Sequence, residues 1–275
     1  MPNFPALASH CVLLARFELY RLIGSPRGWF ALGAFAVIWY FLLRYPIFEA
    51  SVQLQQPDIQ GMLGRVFGMV GLYNLLNWPV AELSVYWLIT VLLLPLVAVL
   101  TSADQTAGDR SRGTLRFLTL RTSRTAIVLG RFAGQMLVQA LLVLLSLLAT
   151  LALAWWRLGS LPLAAVEHAL IVWLNLLIVL APFTAMMALC SALVRSSKLA
   201  ISLAIVGSGV LVGLLSTLIW YQPDFLWLLQ YLPGAQLPLL LGEQGWATFQ
   251  HAGLPLAQTM VFLVLAWLVM KGKSL

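Results

Sequence analysis

Six long apolar stretches constrain the fold of this chain more than any other feature. Each runs for about 17 to 28 residues with charged side chains only near its ends, and a helix needs about 20 such residues to cross a hydrocarbon core. Charged residues make up 9% of the chain, against roughly 25% in soluble domains. We therefore predict an all-α polytopic membrane protein with six transmembrane helices. They run approximately over Gly28–Ile47, Val80–Thr101, Phe132–Trp155, Val166–Leu193, Leu199–Trp220 and Leu254–Met270.

The positive charges predict the orientation of these spans. Six spans place both termini on one side, and if that side is cytoplasmic, 13 of the 16 Lys and Arg residues lie on inner segments and three on outer ones. This distribution follows the positive-inside rule. We therefore expect cytoplasmic termini, and we attribute the net charge of +7 to topology instead of to a nucleic-acid partner.

Residues 1–27 have the pattern of an amphipathic interfacial helix. Apolar residues recur at roughly helical intervals, with Arg16, Glu18 and Arg21 between them, until Ser25-Pro26 ends the pattern before the first span. The charges and the lack of a cleavage site differ from a secretory signal, so we expect this helix to be retained. Two roles remain open for it: anchoring the chain in the headgroup layer, or a mechanical part in the function.

Two extracytoplasmic segments, 48–79 and 221–253, are too long for simple hairpins. In the first, four glycines at three- and four-residue steps predict a helix face for close packing: Gly61, Gly64, Gly68 and Gly71. The second contains a short apolar piece that predicts a re-entrant or an interfacial helix.

The inner connection between spans two and three is the most informative segment. Residues 102–131 hold six of the 13 cytoplasmic positive charges. Asp104 and Asp109 precede this basic run, and apolar contacts come from Leu115, Phe117, Leu118 and Leu120. Such a surface suits a protein partner, although binding to anionic lipid explains the charge equally well.

The stretch GDRSRGTLRFLTLRTSRTAIVLGRFAG over residues 108–134, together with Ser25-Pro26, resembles ABC-2 type permease subunits of ABC transporters. In that family the inner loop forms a coupling helix that docks on a separate ATP-binding subunit. The resemblance carries this role to Asp109, Arg110, Gly113, Thr114 and Leu115, and places Ser123, Arg124, Gly130 and Arg131 where the chain returns to span three.

Three residues depart from the family pattern: Ser111, Arg116 and Arg121. Many members have acidic residues near the first two of these positions and a proline at the third. The loop here is more basic.

The resemblance implies one ABC-2 type transmembrane domain over residues 1–275, with 102–131 as the cytoplasmic coupling loop. We expect a permease subunit of a bacterial inner membrane that pairs with a second permease copy, identical or different, and with ATP-binding cassette subunits. Its expected activity is export of an apolar or amphiphilic substrate. The residues expected to couple it to the ATP-binding subunits are Asp104, Asp109, Arg110, Arg112, Gly113, Thr114, Leu115, Arg124, Arg195 and Lys198.

Two other functions remain open at this stage. An ABC-type complex could drive maturation of extracytoplasmic enzymes or transmit mechanical work, with a periplasmic partner on the outer segments. Alternatively, the chain could be a membrane scaffold.

The sequence lacks the motifs of an enzyme or a metal site. No G-x-x-x-x-G-K-[ST] phosphate loop occurs, so we expect ATP and Mg²⁺ to be bound by the partner subunit and no cofactor by this chain. His10, His168 and His251 are scattered, which predicts no metal site. The pattern assigns no substrate-binding residue.

A few residues within the spans have two interpretations each. Glu82 and Glu167 either line an outer vestibule or are ordinary interfacial carboxylates, and Asn175 is a polar residue inside span four. Pro95 and Pro182 give either hinges or static bends. Gly209-x-x-x-Gly213 permits close packing of span five, within one subunit or across a subunit interface.

Overall fold

The computed structural model describes residues 4–54, 56 and 73–272. The six predicted spans are confirmed, because six helices are long and apolar enough to cross a membrane. The predicted glycine face of the first outer segment, with Gly61, Gly64, Gly68 and Gly71, lies outside the described residues. No strand occurs in the described part of the chain.

The described α-helices are numbered here in chain order. They are α1 (Phe4–Gly24), α2 (Pro26–Leu42), α3 (Phe48–Gln53), α4 (Ala81–Thr101), α5 (Ala107–Ser111), α6 (Thr114–Arg121), α7 (Arg124–Leu158), α8 (Leu163–Leu193), α9 (Ser197–Tyr221), α10 (Leu237–Gly242) and α11 (Gly253–Gly272). A π-helical turn, Leu43–Ile47, joins α2 to α3, and 3₁₀ turns cover Tyr73–Asn77, Ser102–Asp104, Pro223–Tyr231 and Gly245–His251.

The break between α1 and α2 follows from Ser25-Pro26. The Ser25 side chain accepts a hydrogen bond from Gly28 N at 3.1 Å and donates one to Arg21 O at 2.6 Å. Ser25 thereby caps the start of α2, and Pro26 occupies a first-turn position, where no N–H is needed. The chain leaves α1 and enters the first span at this point.

Span three differs most from its predicted bounds. The helix α7 has 35 residues and begins at Arg124, eight residues before the apolar stretch at Phe132. At 1.5 Å per residue it is about 52 Å long, well beyond a hydrocarbon core of about 30 Å. Its first turns therefore project from the apolar layer and are available to contact α1.

The prolines inside the spans do not interrupt them. Pro95 lies within α4 and Pro182 within α8, and both helices continue on either side. The only π-helical turn in the described residues contains Pro46, near the end of the first span, where a proline removes one backbone donor.

Helix α8 lies at the centre of the bundle. It contacts α4, α7, α9 and α11, and its buried apolar residues are shared among all three apolar clusters of the described chain. By contrast, only 11% of the most apolar window of the first and of the fifth span is buried in the chain. The first and fifth spans are therefore peripheral, with faces that meet lipid or another chain.

Part of the second outer segment folds back into the bundle, although no residue of the 3₁₀ turn Pro223–Tyr231 is buried. Leu240 and Leu241 of α10 are buried in the same apolar cluster as residues of α4 and α8. A Cβ atom at Gly234 would lie 3.4 Å from the ring of Phe183, which is past the middle of α8. This packing favours the re-entrant interpretation of the segment. We call this end of the bundle the opposite end, and the end with α1 and residues 102–124 the basic end.

Candidate functional site

The segment that joins spans two and three is compact and helical at the basic end of the bundle. After the 3₁₀ turn Ser102–Asp104, the short helices α5 and α6 meet at Gly113, whose φ is +71°. A left-handed conformation favours glycine because a side chain there clashes with the backbone. The turn at Gly113 lets Thr114 Oγ1 donate to Asp109 O at 3.1 Å, which closes α5 against α6.

Three elements meet at a charge cluster in which Glu18, Asp109 and Arg131 are buried and Arg21 and Arg112 are more exposed. Arg131 of α7 is 4% exposed and donates hydrogen bonds to Glu18 of α1 and to Asp109 of α5. Arg21 lies 3.8 Å from Glu18, and Arg112 lies 3.5 Å from Asp109. A buried charge is tolerated only when it is paired. Arg131 therefore holds α1, α5 and α7 together.

The contact between α1 and α7 is close because glycines line it. A Cβ atom at Gly134 would lie 2.7 Å from Glu18 Cγ, and one at Gly130 would lie 2.8 Å from Leu14 Cβ. Beside them, burial raises the pKa of the Cys11 thiol. Gly130-x-x-x-Gly134 is a small-residue motif for helix packing, and sequence analysis did not interpret it in this way.

Further hydrogen bonds join the same segment to the other spans. Asp104 Oδ1 accepts from Ser197 Oγ at 2.9 Å, at the start of α9. Arg110 Nη1 donates to Ala192 O at 2.7 Å, at the end of α8. Arg124 Nη1 donates to Met270 O, also at 2.7 Å, at the end of α11. A displacement of residues 102–124 would thus act directly on four spans.

The structure divides the predicted coupling residues into a buried and an exposed group. Leu115 and Asp109 are buried, and Asp104, Arg110 and Arg124 are half-buried. The exposed members are Arg112, Gly113, Thr114, Arg195 and Lys198. Leu115 packs in the apolar cluster with Ile127 and Ala185, so it anchors α6 and is not part of the exposed face.

Helix α6 presents an exposed apolar face outside the spans. Phe117 is 70% exposed and Leu120 is 80% exposed, with the exposed Arg116 and Arg121 beside them. Large exposed apolar side chains rimmed by polar residues are typical of surfaces that bind another protein. We call Phe117, Leu120, Arg116 and Arg121 the α6 face.

Residues of the predicted amphipathic helix have different environments. Glu18 is buried in the charge cluster, Arg21 is half-buried and lies 3.6 Å from Asp104, and Arg16 is exposed. The helix α1 is therefore packed on the first turns of α7, in addition to any contact with the headgroup layer.

Sequence analysis missed a stripe of buried polar residues along α7. The spacing of four or seven residues places its members on one helix face, and they are Arg131, Gln135, Gln139, Ser146 and Thr150. Gln139 Nε2 donates to Ser102 Oγ at 3.1 Å, and Ser146 Oγ lies 2.9 Å from Tyr86 Oη. The regular spacing of Gln and Ser inside an apolar stretch was the signal that could have revealed it.

At the opposite end, the three residues singled out in the sequence, Glu82, Glu167 and Asn175, bond within the chain. Glu82 is fully buried and pairs with Arg157, which favours a structural role over a vestibule. Glu167 accepts from Trp246 Nε1 at 2.9 Å, and Asn175 Nδ2 donates to Thr248 Oγ1 at 2.8 Å. Within the described ranges, no group of three or more His, Cys, Asp or Glu side chains is arranged to hold a metal ion.

Span five leaves its glycines open. A Cβ atom at Gly207, Gly209 or Gly213 would meet no other described atom within 4 Å. Of the two interpretations of Gly209-x-x-x-Gly213, the described part of the chain therefore favours packing across a subunit interface over packing within one subunit.

A family model described as ABC-2 family transporter protein matches residues 12–271, which is nearly the whole chain. No curated protein matches the chain.

Proposed function

The chain belongs to the ABC-2 transporter family, and on that premise we propose that it couples ATP hydrolysis by separate ATP-binding subunits to export of an apolar or amphiphilic substrate. Permeases of this family are the membrane components of ABC transporters and work with ATP-binding subunits. ATP and Mg²⁺ would be bound by those subunits. The basic end would face the cytoplasm of a bacterial inner membrane, in line with the positive-inside rule.

The α6 face carries this proposal. Phe117 and Leu120 are exposed on a helix that follows α4 and precedes α7, outside the long apolar helices. Exposed apolar side chains of this size offer anchor residues to a groove on a partner protein. The neighbouring Arg116 and Arg121 would suit an acidic rim around that groove.

The contacts behind the α6 face supply a route for the motion. The helices α5 and α6 are held to α7 through Asp109 and Arg131, and residues 102–124 also bond to α8, α9 and α11. A rigid set of side-chain contacts moves neighbouring elements together. Docking and release of ATP-binding subunits at α6 would therefore shift several spans at once, and α1 with them.

A second permease copy fits the open surfaces of the first and fifth spans. Both are mostly unburied in this chain, and the glycines of α9 leave space for close approach of a helix. We propose that two permease subunits pair through this side of the bundle, as a homodimer or a heterodimer.

The test is co-purification of the full chain with its candidate ATP-binding subunit, followed by vanadate-sensitive ATPase assay in liposomes. The double variant Phe117→Ser with Leu120→Ser should weaken subunit retention about tenfold or more, because both apolar anchors are removed. The matched control is Leu163→Ser, since Leu163 is equally exposed but lies at the start of α8 at the opposite end.

Retention of the ATP-binding subunit by the control and its loss from the double variant would support the proposal. Equal retention by both variants, with unchanged ATPase activity, would exclude the α6 face as the docking surface. Purification of the unsubstituted chain without any nucleotide response would contradict the coupling function altogether.

A further inference from the structure

A small cavity lies at the opposite end of the bundle, between α4, α8 and the 3₁₀ turn Gly245–His251. Its walls include Trp78, Trp87, Asn175 and Thr248. Its free volume of about 10 Å³ accommodates one water-sized sphere. None of the sequence motifs described above predicts a site there.

Two tryptophans of the cavity wall have an indole N–H group without an acceptor in the described part of the chain. Trp87 is 2% exposed, and neither its Nε1 nor the buried Nε1 of Trp78 has a hydrogen-bond partner among the described residues. Native structures rarely leave a buried donor unpaired, because the lost hydrogen bond to water is not replaced. An oxygen with two lone pairs, held in this cavity, could accept from both indoles.

The 3₁₀ turn Gly245–His251 forms a roof over this space. Asn175 Nδ2 donates to Thr248 Oγ1 at 2.8 Å, and Trp246 Nε1 donates to Glu167 Oε1 at 2.9 Å. Gly245, at the start of the roof, has a φ of +59°. The roof is thus joined to α8 by two side-chain hydrogen bonds, and a shift of this short turn would enlarge the cavity.

The lining selects against charge. No Lys, Arg, Asp or Glu is among the residues that form the walls; His168 also lines them, with its Nδ1 bonded to Ala164 O, and Ile171 and Val172 add apolar surface. A charged group would be desolvated there without a counter-ion, which is costly. An uncharged oxygen with hydrocarbon next to it matches both the two donors and the apolar wall.

We propose that this cavity binds the uncharged, hydrogen-bond-accepting end of an amphiphile, through the N–H groups of Trp78 and Trp87. The accepting group is a hydroxyl, ether or carbonyl oxygen, and the roof opens to admit it. This inference rests on the proposed export function, and it narrows the substrate class to amphiphiles with a neutral polar end.

The experiment uses the full chain in lipid nanodiscs with three photoreactive probes of equal length. They are a diazirine-bearing long-chain alcohol, the corresponding carboxylate and the corresponding ammonium. Labelled residues are located by mass spectrometry. The alcohol should label the cavity wall about tenfold more than either charged probe, because a charged end pays a desolvation cost there.

The variant Trp87→Phe removes one N–H and keeps an aromatic ring. It should reduce labelling of the cavity by the alcohol several-fold, since one hydrogen bond is lost. Trp220→Phe is the matched control, because Trp220 is 85% exposed at the end of α9, and it should leave that labelling unchanged.

Equal labelling by the three probes, or undiminished labelling of Trp87→Phe, would overturn the proposal. Absence of label from the cavity would also overturn it and would leave a buried water as the occupant. If Trp87→Phe does not fold, the comparison of the three probes on the unsubstituted chain still tests the proposal. The nanodiscs hold no ATP-binding subunit, so failure here leaves the coupling proposal intact, and failure of the α6 variants leaves this site intact.

Discussion

Two glycine pairs with the same spacing are used in opposite ways. Gly130 and Gly134 on α7 lie against α1, where an added Cβ atom would meet Leu14 or Glu18 at less than 3 Å. At Gly209 and Gly213 on α9, an added Cβ atom would meet none of the described residues within 4 Å. The Gly-x-x-x-Gly spacing alone therefore shows that another helix can pack closely there, but it does not show which helix does so. The packed pair also flanks Arg131, which adds a charge contact to the steric one.

The largest expected effect on stability comes from replacing Arg131, the charged residue that lies between Gly130 and Gly134. Arg131→Met leaves Glu18 and Asp109 without their buried cation and with only the more exposed Arg21 and Arg112 nearby, and loss of one partner of a buried pair costs about 3–5 kcal/mol. We expect a decrease of that size in the free energy of unfolding, measured by SDS titration in mixed micelles. Arg116→Met is the control, because Arg116 is exposed on α6.

Adding Glu18→Gln and Asp109→Asn to Arg131→Met should recover part of this loss, since no unpaired buried charge then remains in the cluster. If Arg131→Met and Arg116→Met were equally stable, the charge cluster would have no role in holding α1.

The next largest effect on stability is steric, and it differs between the two glycine pairs. Gly134→Leu forces α1 away from α7, because Glu18 and the Ala15 backbone occupy the space, and overpacking costs about 1–3 kcal/mol. Gly209→Leu enters open space and should change the free energy of unfolding of the single chain by less than about 0.5 kcal/mol. Proteolysis at α1 in Gly134→Leu, with α1 protected in Gly209→Leu, gives an independent measurement.

The open pair should matter for association instead. If a second copy packs on α9, Gly209→Leu should weaken self-association in liposomes about tenfold, which is about 1.4 kcal/mol. Single-molecule photobleaching of labelled chains gives the dimer fraction. An unchanged dimer fraction would show that the glycines of α9 face lipid alone.

The smallest effect concerns a third kind of glycine, which is required by backbone conformation and not by packing. At Gly113 a Cβ atom would meet nothing within 4 Å, but φ is +71°. Gly113→Ala should therefore destabilise the chain by about 1 kcal/mol, measured by the same titration. Gly33→Ala is the control, since its Cβ atom also meets nothing and its φ is not positive; it should be neutral or stabilising.

Sequence reasoning predicted the parts of this molecule that depend on local pattern. The six spans and the break at Ser25-Pro26 follow from hydropathy and from the placement of a proline. It did not predict that α7 begins at Arg124, because charged residues before Phe132 end an apolar stretch without ending a helix. It also did not separate Leu115 from Phe117, which lie two residues apart on opposite sides of a short helix.

The sequence by itself determined that the chain crosses a membrane six times, since each span satisfies its own backbone hydrogen bonds and needs only enough apolar residues. The tertiary structure decided which polar groups meet. Glu18, Asp109 and Arg131 come from elements far apart in the chain, and their pairing depends on how α1 and α5 pack on α7. Helix packing in lipid is set by shape and by a few polar contacts, which a single sequence does not specify by spacing alone.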